Sequence, residues 1–134
     1  MNASTLLLGG TIFSSAFLLF LVQPLMAKQI LPWFGGSAAV WTVCMVFFQV
    51  LLLAGYAYAD LLTRRLSLRL QTRVHAGVLL VSLLSLPVIA HERWKPAAES
   101  DPTLWIIGLL LATIGLPYFV VSTTGPLLQA WVSR

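Results

Sequence analysis

The sequence predicts an all-α integral membrane protein, a bundle of four transmembrane helices, from its composition and from the lengths of its apolar segments. Of the 134 residues, 59% are hydrophobic and only 9% are charged, and the mean hydropathy is +0.92. Soluble domains have about 25% charged residues. Eight basic and four acidic residues are too few to cover a soluble globule, so we expect most of the surface to face lipid.

Four apolar segments are long enough, or nearly long enough, to cross a bilayer. A helix needs about 20 residues to span about 30 Å of hydrocarbon, and its own hydrogen bonds satisfy its backbone there. The predicted helices are residues 5–29, 38–62, 74–90 and 103–124, of which the third is the shortest. The chain, residues 1–134, is therefore predicted to be one transmembrane module.

Three connections of different character separate these segments. LPWFGGS contains one proline and two glycines, which predict a tight reversal of the chain. TRRLSLRLQTR predicts a basic loop, and HERWKPAAESDP predicts an exposed polar loop that ends where the fourth helix begins.

The basic residues predict the orientation of the bundle. Cytoplasmic loops of membrane proteins are enriched in Lys and Arg. With both termini on the cytoplasmic side, five arginines share that side: Arg64, Arg65, Arg69, Arg73 and Arg134. Three basic residues lie opposite: Lys28, Arg93 and Lys95. The sequence thus predicts a multi-pass membrane protein with cytoplasmic termini, whose loop arginines contact lipid phosphates or solvent rather than nucleic acid.

Uncharged polar residues inside the apolar segments are candidate contact sites. Their side chains need hydrogen-bond partners in lipid, either on neighbouring helices or in a polar cavity. The candidates are Gln23, Gln49, Thr123, Thr124 and Gln129. The stretch GYAYADL adds small residues at Gly55, Ala57 and Ala59, which favour close packing of helices.

Asp60 is the acidic residue nearest to a membrane segment, at the predicted cytoplasmic end of the second helix. Arg64 follows one helical turn later, so an i,i+4 ion pair at the interface explains Asp60. A conformational-switch role is the alternative, because acidic groups within membranes are often functional.

The sequence lacks the residue arrangements that catalysis, cofactor binding and metal binding require. We find no paired carboxylates, no nucleophile with a base, no glycine-rich phosphate loop and no metal-ligand spacing, so no catalytic residue, cofactor or metal is predicted. Cys44, the single cysteine, is predicted to be a small buried residue. His75 and His91 are predicted to be solvated at the membrane interface.

Several irregular motifs resemble one family. They are Gln-Pro-Leu at residues 23–25, Leu-Pro-Trp-Phe-Gly-Gly-Ser at 31–37, Val-Trp-Thr at 40–42, Gly-Tyr-Ala-Tyr-Ala at 55–59 and Ser-Thr-Thr-Gly-Pro-Leu-Leu-Gln-Ala-Trp at 122–131. Together they resemble the N-terminal membrane region of bacterial fused major-facilitator and spermidine-synthase-like proteins. The resemblance implies the first helices of a major-facilitator-like fold, located in the bacterial inner membrane. The aminopropyltransferase-like domain found in many members has no counterpart in this sequence.

The resemblance and the polar residues together imply a non-catalytic membrane module that works with partner helices, in a hetero-complex or a homo-oligomer. Two alternatives remain open. The first is a small transporter or pore formed by oligomerisation, with a path lined by Gln23, Gln49 and Thr123. The second is an accessory subunit of a membrane complex. A transferase-related role would require a separately encoded domain that docks on the arginine loop.

Overall fold

The computed structural model describes residues 3–89, 94 and 102–133, and throughout these residues the ordered elements are helices. The helices are α1 (Ala3–Ile30), α2 (Ala38–Arg65), α3 (Leu68–Leu84), α4 (Pro102–Leu110) and α5 (Leu116–Val132). A 3₁₀ turn, Leu31–Phe34, follows α1, and a π-helical turn, Leu111–Gly115, joins α4 to α5. The predicted loop at residues 91–102 lies outside the described residues except for Trp94 and Pro102.

Among the described residues, three helices are long and apolar enough to cross a membrane: Ala3–Phe34, Ala38–Arg65 and the continuous α4–α5 helix, Pro102–Val132. The prediction of an all-α protein is confirmed for these residues. The fourth spanning helix predicted at residues 74–90 is not confirmed, because α3 is not one of the three, and its bounds are wrong, because α3 has only 17 residues and ends at Leu84. Pro87 explains the early end, since a proline disfavours helical backbone at the residue before it.

The predicted basic loop is mostly helical. The second helix extends to Arg65 rather than Leu62, and α3 begins at Leu68, so only Leu66 and Ser67 connect them. Arg, Leu and Gln are good helix formers, and nothing in the stretch breaks a helix. The fourth predicted helix likewise continues past residue 124 to Val132 and contains Pro126. A proline is tolerated inside a membrane helix because neighbouring groups satisfy the backbone group that it leaves without a bond.

The reversal between α1 and α2 is confirmed and follows directly from its residues. Gly35 and Gly36 have φ angles of 85° and 64°, in the left-handed region that glycine adopts readily. The Ser37 hydroxyl then accepts a hydrogen bond from the backbone N–H of Val40 at 3.4 Å and caps α2.

The π-helical turn immediately precedes Pro117. Proline has no N–H, so a regular α-helix would lose the bond to the carbonyl four residues earlier. A locally wider turn accommodates this loss without ending the helix. The Thr113 hydroxyl also donates to the Leu109 carbonyl at 2.7 Å within the same region.

The helix directions show how the chain crosses the bundle. Residues from the start of α2 and from α4 share one core cluster, and residues from the ends of α2 and α5 share another. The α4–α5 helix therefore runs parallel to α2. We call the end that contains the α1–α2 turn the Trp33 end, and the end that contains Arg64, Arg65, Arg69 and Arg73 the arginine end.

The two ends differ in how they pack. At the Trp33 end, twelve buried residues from α1, the 3₁₀ turn, α2 and α4–α5 form one apolar cluster, which includes Phe48 against Tyr118 at a ring-centroid distance of 4.9 Å. At the arginine end the buried apolar cluster contains only Ala59, Leu62 and Leu127. Tyr58, Leu66 and Trp131 pack against this small cluster, and glycine and polar side chains are also buried at that end.

Candidate functional site

The closest approach between spanning helices occurs where α2 meets α5. A methyl group on Gly55 would overlap the Ser122 hydroxyl and lie 3.0 Å from Ser122 Cβ and 3.4 Å from Thr123 Cγ2. Ala59, four residues later, is also buried, whereas Ala57 is exposed. Gly55 and Ala59 thus form a small-xxx-small packing face, as the sequence predicts for two of its three small residues.

The hydroxyl groups of α5 are satisfied within their own helix. Ser122 donates to Phe119 O at 2.6 Å, and Thr123 and Thr124 both donate to Val120 O, at 2.7 and 3.0 Å. Thr123 is fully buried. The hydroxyl of each of these three residues therefore has a partner within α5.

Gln23 forms a bond between helices. Its amide Nε2 donates to the Tyr118 hydroxyl at 2.6 Å, which links the middle of α1 to α5. Such bonds between membrane helices contribute about 0.6 kcal/mol on average. Within the described part of the chain, Gln23 therefore makes a hydrogen bond to another helix, unlike Gln49, Thr123 and Gln129.

Gln49 and Gln129 are exposed, and neither side chain has a hydrogen-bond partner among the described residues. Gln129 lies close to the end of α5, where water and headgroups can reach it. Gln49 lies about 17 Å from the start of α2 and about 24 Å from its end, at 1.5 Å per residue. Its amide is thus exposed near the middle of an apolar span.

A polar network at the arginine end was not predicted from the sequence. The fully buried Gln71 of α3 donates to the Leu66 carbonyl at 2.7 Å and accepts from the Trp131 indole N–H at 2.8 Å. It holds α3 against the last turn of α5. The signal was the polar spacing of α3, where Gln71, His75 and Ser82 are the buried residues and share one helical face.

His75 is buried, with 6% of its surface exposed, so its predicted solvation is wrong. Burial follows from α3 beginning at Leu68, which places His75 two turns into the helix and against Tyr58 of α2, at a ring-centroid distance of 6.2 Å. His75 Nδ1 and the Tyr58 hydroxyl are buried and have no hydrogen-bond partner within the described part of the chain. His91 lies outside the described residues.

Asp60 and Arg64 form the predicted i,i+4 ion pair, with Arg64 Nε donating to Asp60 Oδ1 at 2.7 Å. Both side chains are largely exposed, so the pair contributes at most about 1 kcal/mol to stability. Arg65, Arg69 and Arg73 are exposed at the same end of the bundle. Lys28 is exposed at the opposite end, while Arg93, Lys95 and Arg134 lie outside the described residues.

A groove between α1 and α5 has several polar residues in its lining. It has a volume of about 290 Å³. Its polar lining residues are Ser15, Tyr56, Ser122 and Gln129.

Within residues 3–89, 94 and 102–133, no three His, Cys, Asp or Glu side chains come together as a metal site. Cys44 is buried in the apolar cluster of the Trp33 end, as predicted.

The chain matches no family model, no curated protein and no solved structure. The resemblance to fused major-facilitator and spermidine-synthase-like proteins therefore stays a prediction from sequence motifs.

Proposed function

We propose that this protein is a non-catalytic membrane module that works with partner helices, as its motif resemblance to the N-terminal part of carrier-like fusion proteins implies. The supporting observation is Gln49, whose amide is exposed near mid-span and has no partner among the described residues. An unbonded amide in hydrocarbon is unfavourable. A neighbouring helix that supplies a donor or acceptor removes that cost.

The proposed setting is the bacterial inner membrane, with four passes and cytoplasmic termini. Helix direction supports this arrangement, because α2 and α4–α5 run parallel, so both would end on the cytoplasmic side. The exposed arginines at one end agree with the enrichment of basic residues on the cytoplasmic side. Reporter fusions after Gly36, after Ser67 and at the C-terminus should give periplasmic, cytoplasmic and cytoplasmic signals. A periplasmic C-terminus would contradict the proposed topology.

The partner requirement is tested by substituting Gln49 with Leu. If partner helices satisfy the amide, Gln49→Leu should reduce the fraction of protein recovered in its complex after mild detergent extraction. Leu53→Ile, a change between apolar residues on the same exposed face, is the matched control. Unchanged or improved recovery of the complex by Gln49→Leu would reject the proposal.

A second candidate function is passage of a small uncharged solute, and the groove between α1 and α5 favours it. The path predicted through Gln23, Gln49 and Thr123 would form only between copies of the chain and stays a prediction. The groove instead brings together Ser15, Tyr56 and Gln129. Proteoliposomes should then swell faster in glycerol than protein-free liposomes, and Gln129→Leu should slow the swelling. Equal swelling with and without protein would exclude this function.

An accessory-subunit role makes a different prediction. The native mass after mild extraction would then equal one copy of this chain plus other proteins, whereas a homo-oligomer gives a multiple of the chain mass. Docking of a separate transferase domain would require the exposed arginines, so Arg65→Gln and Arg69→Gln together should release it.

A further inference from the structure

One face of α2 presents an exposed stripe with alternating spacings of four and three residues. We call it the Gln49 stripe, and its members are Thr42, Val46, Gln49, Leu53, Tyr56 and Asp60. All six are exposed, while the buried residues of α2, such as Cys44 and Phe48, lie on the other side of the helix. This spacing is the heptad pattern by which two helices pack along a common seam.

The stripe is bordered by grooves on both halves of the bundle. Thr42 and Val46 border a groove of about 320 Å³ whose other wall is Thr103 and Ile107. Tyr56 and Asp60 border a groove of about 200 Å³. Grooves beside a heptad seam can accept side chains from a facing helix. The surface therefore has protruding stripe side chains and, beside them, grooves that a partner's side chains can fill.

The polar members of the stripe differ in what they require. The Thr42 hydroxyl is satisfied by the Ala38 carbonyl at 3.0 Å, and Asp60 is paired with Arg64. Gln49 alone combines mid-span depth with a free amide. The occupant of the stripe must therefore offer a donor and an acceptor at the depth of Gln49.

We propose that a second copy of the chain occupies the Gln49 stripe in a parallel α2–α2 contact. Copies inserted with the same topology are related by a twofold axis along the membrane normal, so each stripe residue meets its own counterpart at the same depth. An amide is both donor and acceptor, so two Gln49 side chains complement each other. At the arginine end, the facing Asp60–Arg64 pairs can exchange partners. This inference rests on the proposed function, which requires partner helices.

Single-cysteine cross-linking tests the contact in native membranes. Replacing Cys44, the only cysteine, by Ala gives a background with no thiol. Val46→Cys and Leu53→Cys are then placed on the stripe. Ala54→Cys and Leu61→Cys are controls on the same helix, exposed but off the stripe. A disulfide requires Cα atoms within about 7 Å, so mild oxidation should give a dimer of twice the chain mass at the stripe positions and not at the controls.

Gln49 variants measure the amide contribution in the intact protein. Gln49→Leu should weaken self-association about three- to thirtyfold, and Gln49→Asn, which retains the amide, should weaken it less. Unchanged helical circular dichroism verifies that the variants fold, which is expected because residue 49 is exposed. Equal self-association of Gln49→Leu and the natural protein would overturn the inference.

The outcomes separate this inference from the proposed function. In one outcome, the stripe cysteines do not link to each other but the protein still purifies with other membrane proteins. That result overturns the second-copy contact and is consistent with the partner requirement. A protein that remains monomeric without any partner, and whose behaviour Gln49→Leu leaves unchanged, overturns both.

Discussion

The two ends of the bundle are held together by different kinds of side chains. At the Trp33 end, α1, α2 and α4 meet through large apolar residues such as Ile30, Phe48 and Leu109. At the arginine end, α2, α3 and α5 meet through Gly55, small residues and buried polar groups. In lipid, apolar burial gives little preference for one partner over another, because lipid tails are equally apolar. Close contact and hydrogen bonding therefore define the arginine end more specifically than the Trp33 end.

The largest expected effect lies in the apolar cluster of the Trp33 end. Phe48→Ala should lower the free energy of unfolding by about 3 kcal/mol. This value is the low end of the range for a buried Phe, because helices that separate in lipid exchange their contacts with protein for contacts with lipid. Unfolding in detergent–lipid micelles, followed by circular dichroism, measures the change. Phe20→Ala is the matched control, since 76% of Phe20 is exposed, and it should change stability by less than about 0.5 kcal/mol. Equal losses from both variants would contradict the assigned core.

The next effect tests the close contact at the arginine end. Gly55→Ala should destabilise the protein by about 1–3 kcal/mol, because the added methyl group overlaps Ser122. Gly77→Ala is the control: Gly77 is also in a helix but has open space at its Cβ position, so the change should stabilise by up to about 1 kcal/mol. Combining Gly55→Ala with Ser122→Gly should recover part of the loss. A stable Gly55→Ala single variant would show that α2 and α5 are not in this contact.

The difference between the ends also explains what the sequence could predict. Three of the four predicted spanning segments and the turn at Gly35–Gly36 are confirmed, because they follow from local properties, namely apolar length and glycine conformation. The path of α3 was not, because Arg69 and Arg73 indicate solvent while Gln71 and His75, on another face of the same helix, turn inward. Which face of a helix meets protein depends on its neighbours. For the same reason Gln23 and Gln49 look alike in sequence, although one bonds Tyr118 and the other is exposed.

The polar network of the arginine end should have an intermediate effect. Gln71→Leu should destabilise by about 1–3 kcal/mol, because the Trp131 indole N–H and the Leu66 carbonyl lose their buried partner. Gln29→Leu, at an exposed position of α1, is the control and should be nearly neutral. In a double-mutant cycle, Trp131→Phe should cost less in the Gln71→Leu background than in the natural protein. Strict additivity would show that the two side chains do not interact.

The smallest effect concerns a polar group that the arginine end does not satisfy. The buried Tyr58 hydroxyl has no partner among residues 3–89, 94 and 102–133. The rings of His75 and Phe119 lie 6.2 and 5.3 Å from the Tyr58 ring. Removing an unsatisfied hydroxyl relieves a desolvation cost, so Tyr58→Phe should leave stability unchanged or raise it by up to about 1 kcal/mol. Tyr118→Phe is the contrasting variant, because the Tyr118 hydroxyl accepts from Gln23, and it should destabilise by about 0.6 kcal/mol. A clear loss of stability in Tyr58→Phe would mean that the hydroxyl has a hydrogen-bond partner in the membrane. Cross-linking from positions along α3 would then identify the helix that supplies this partner.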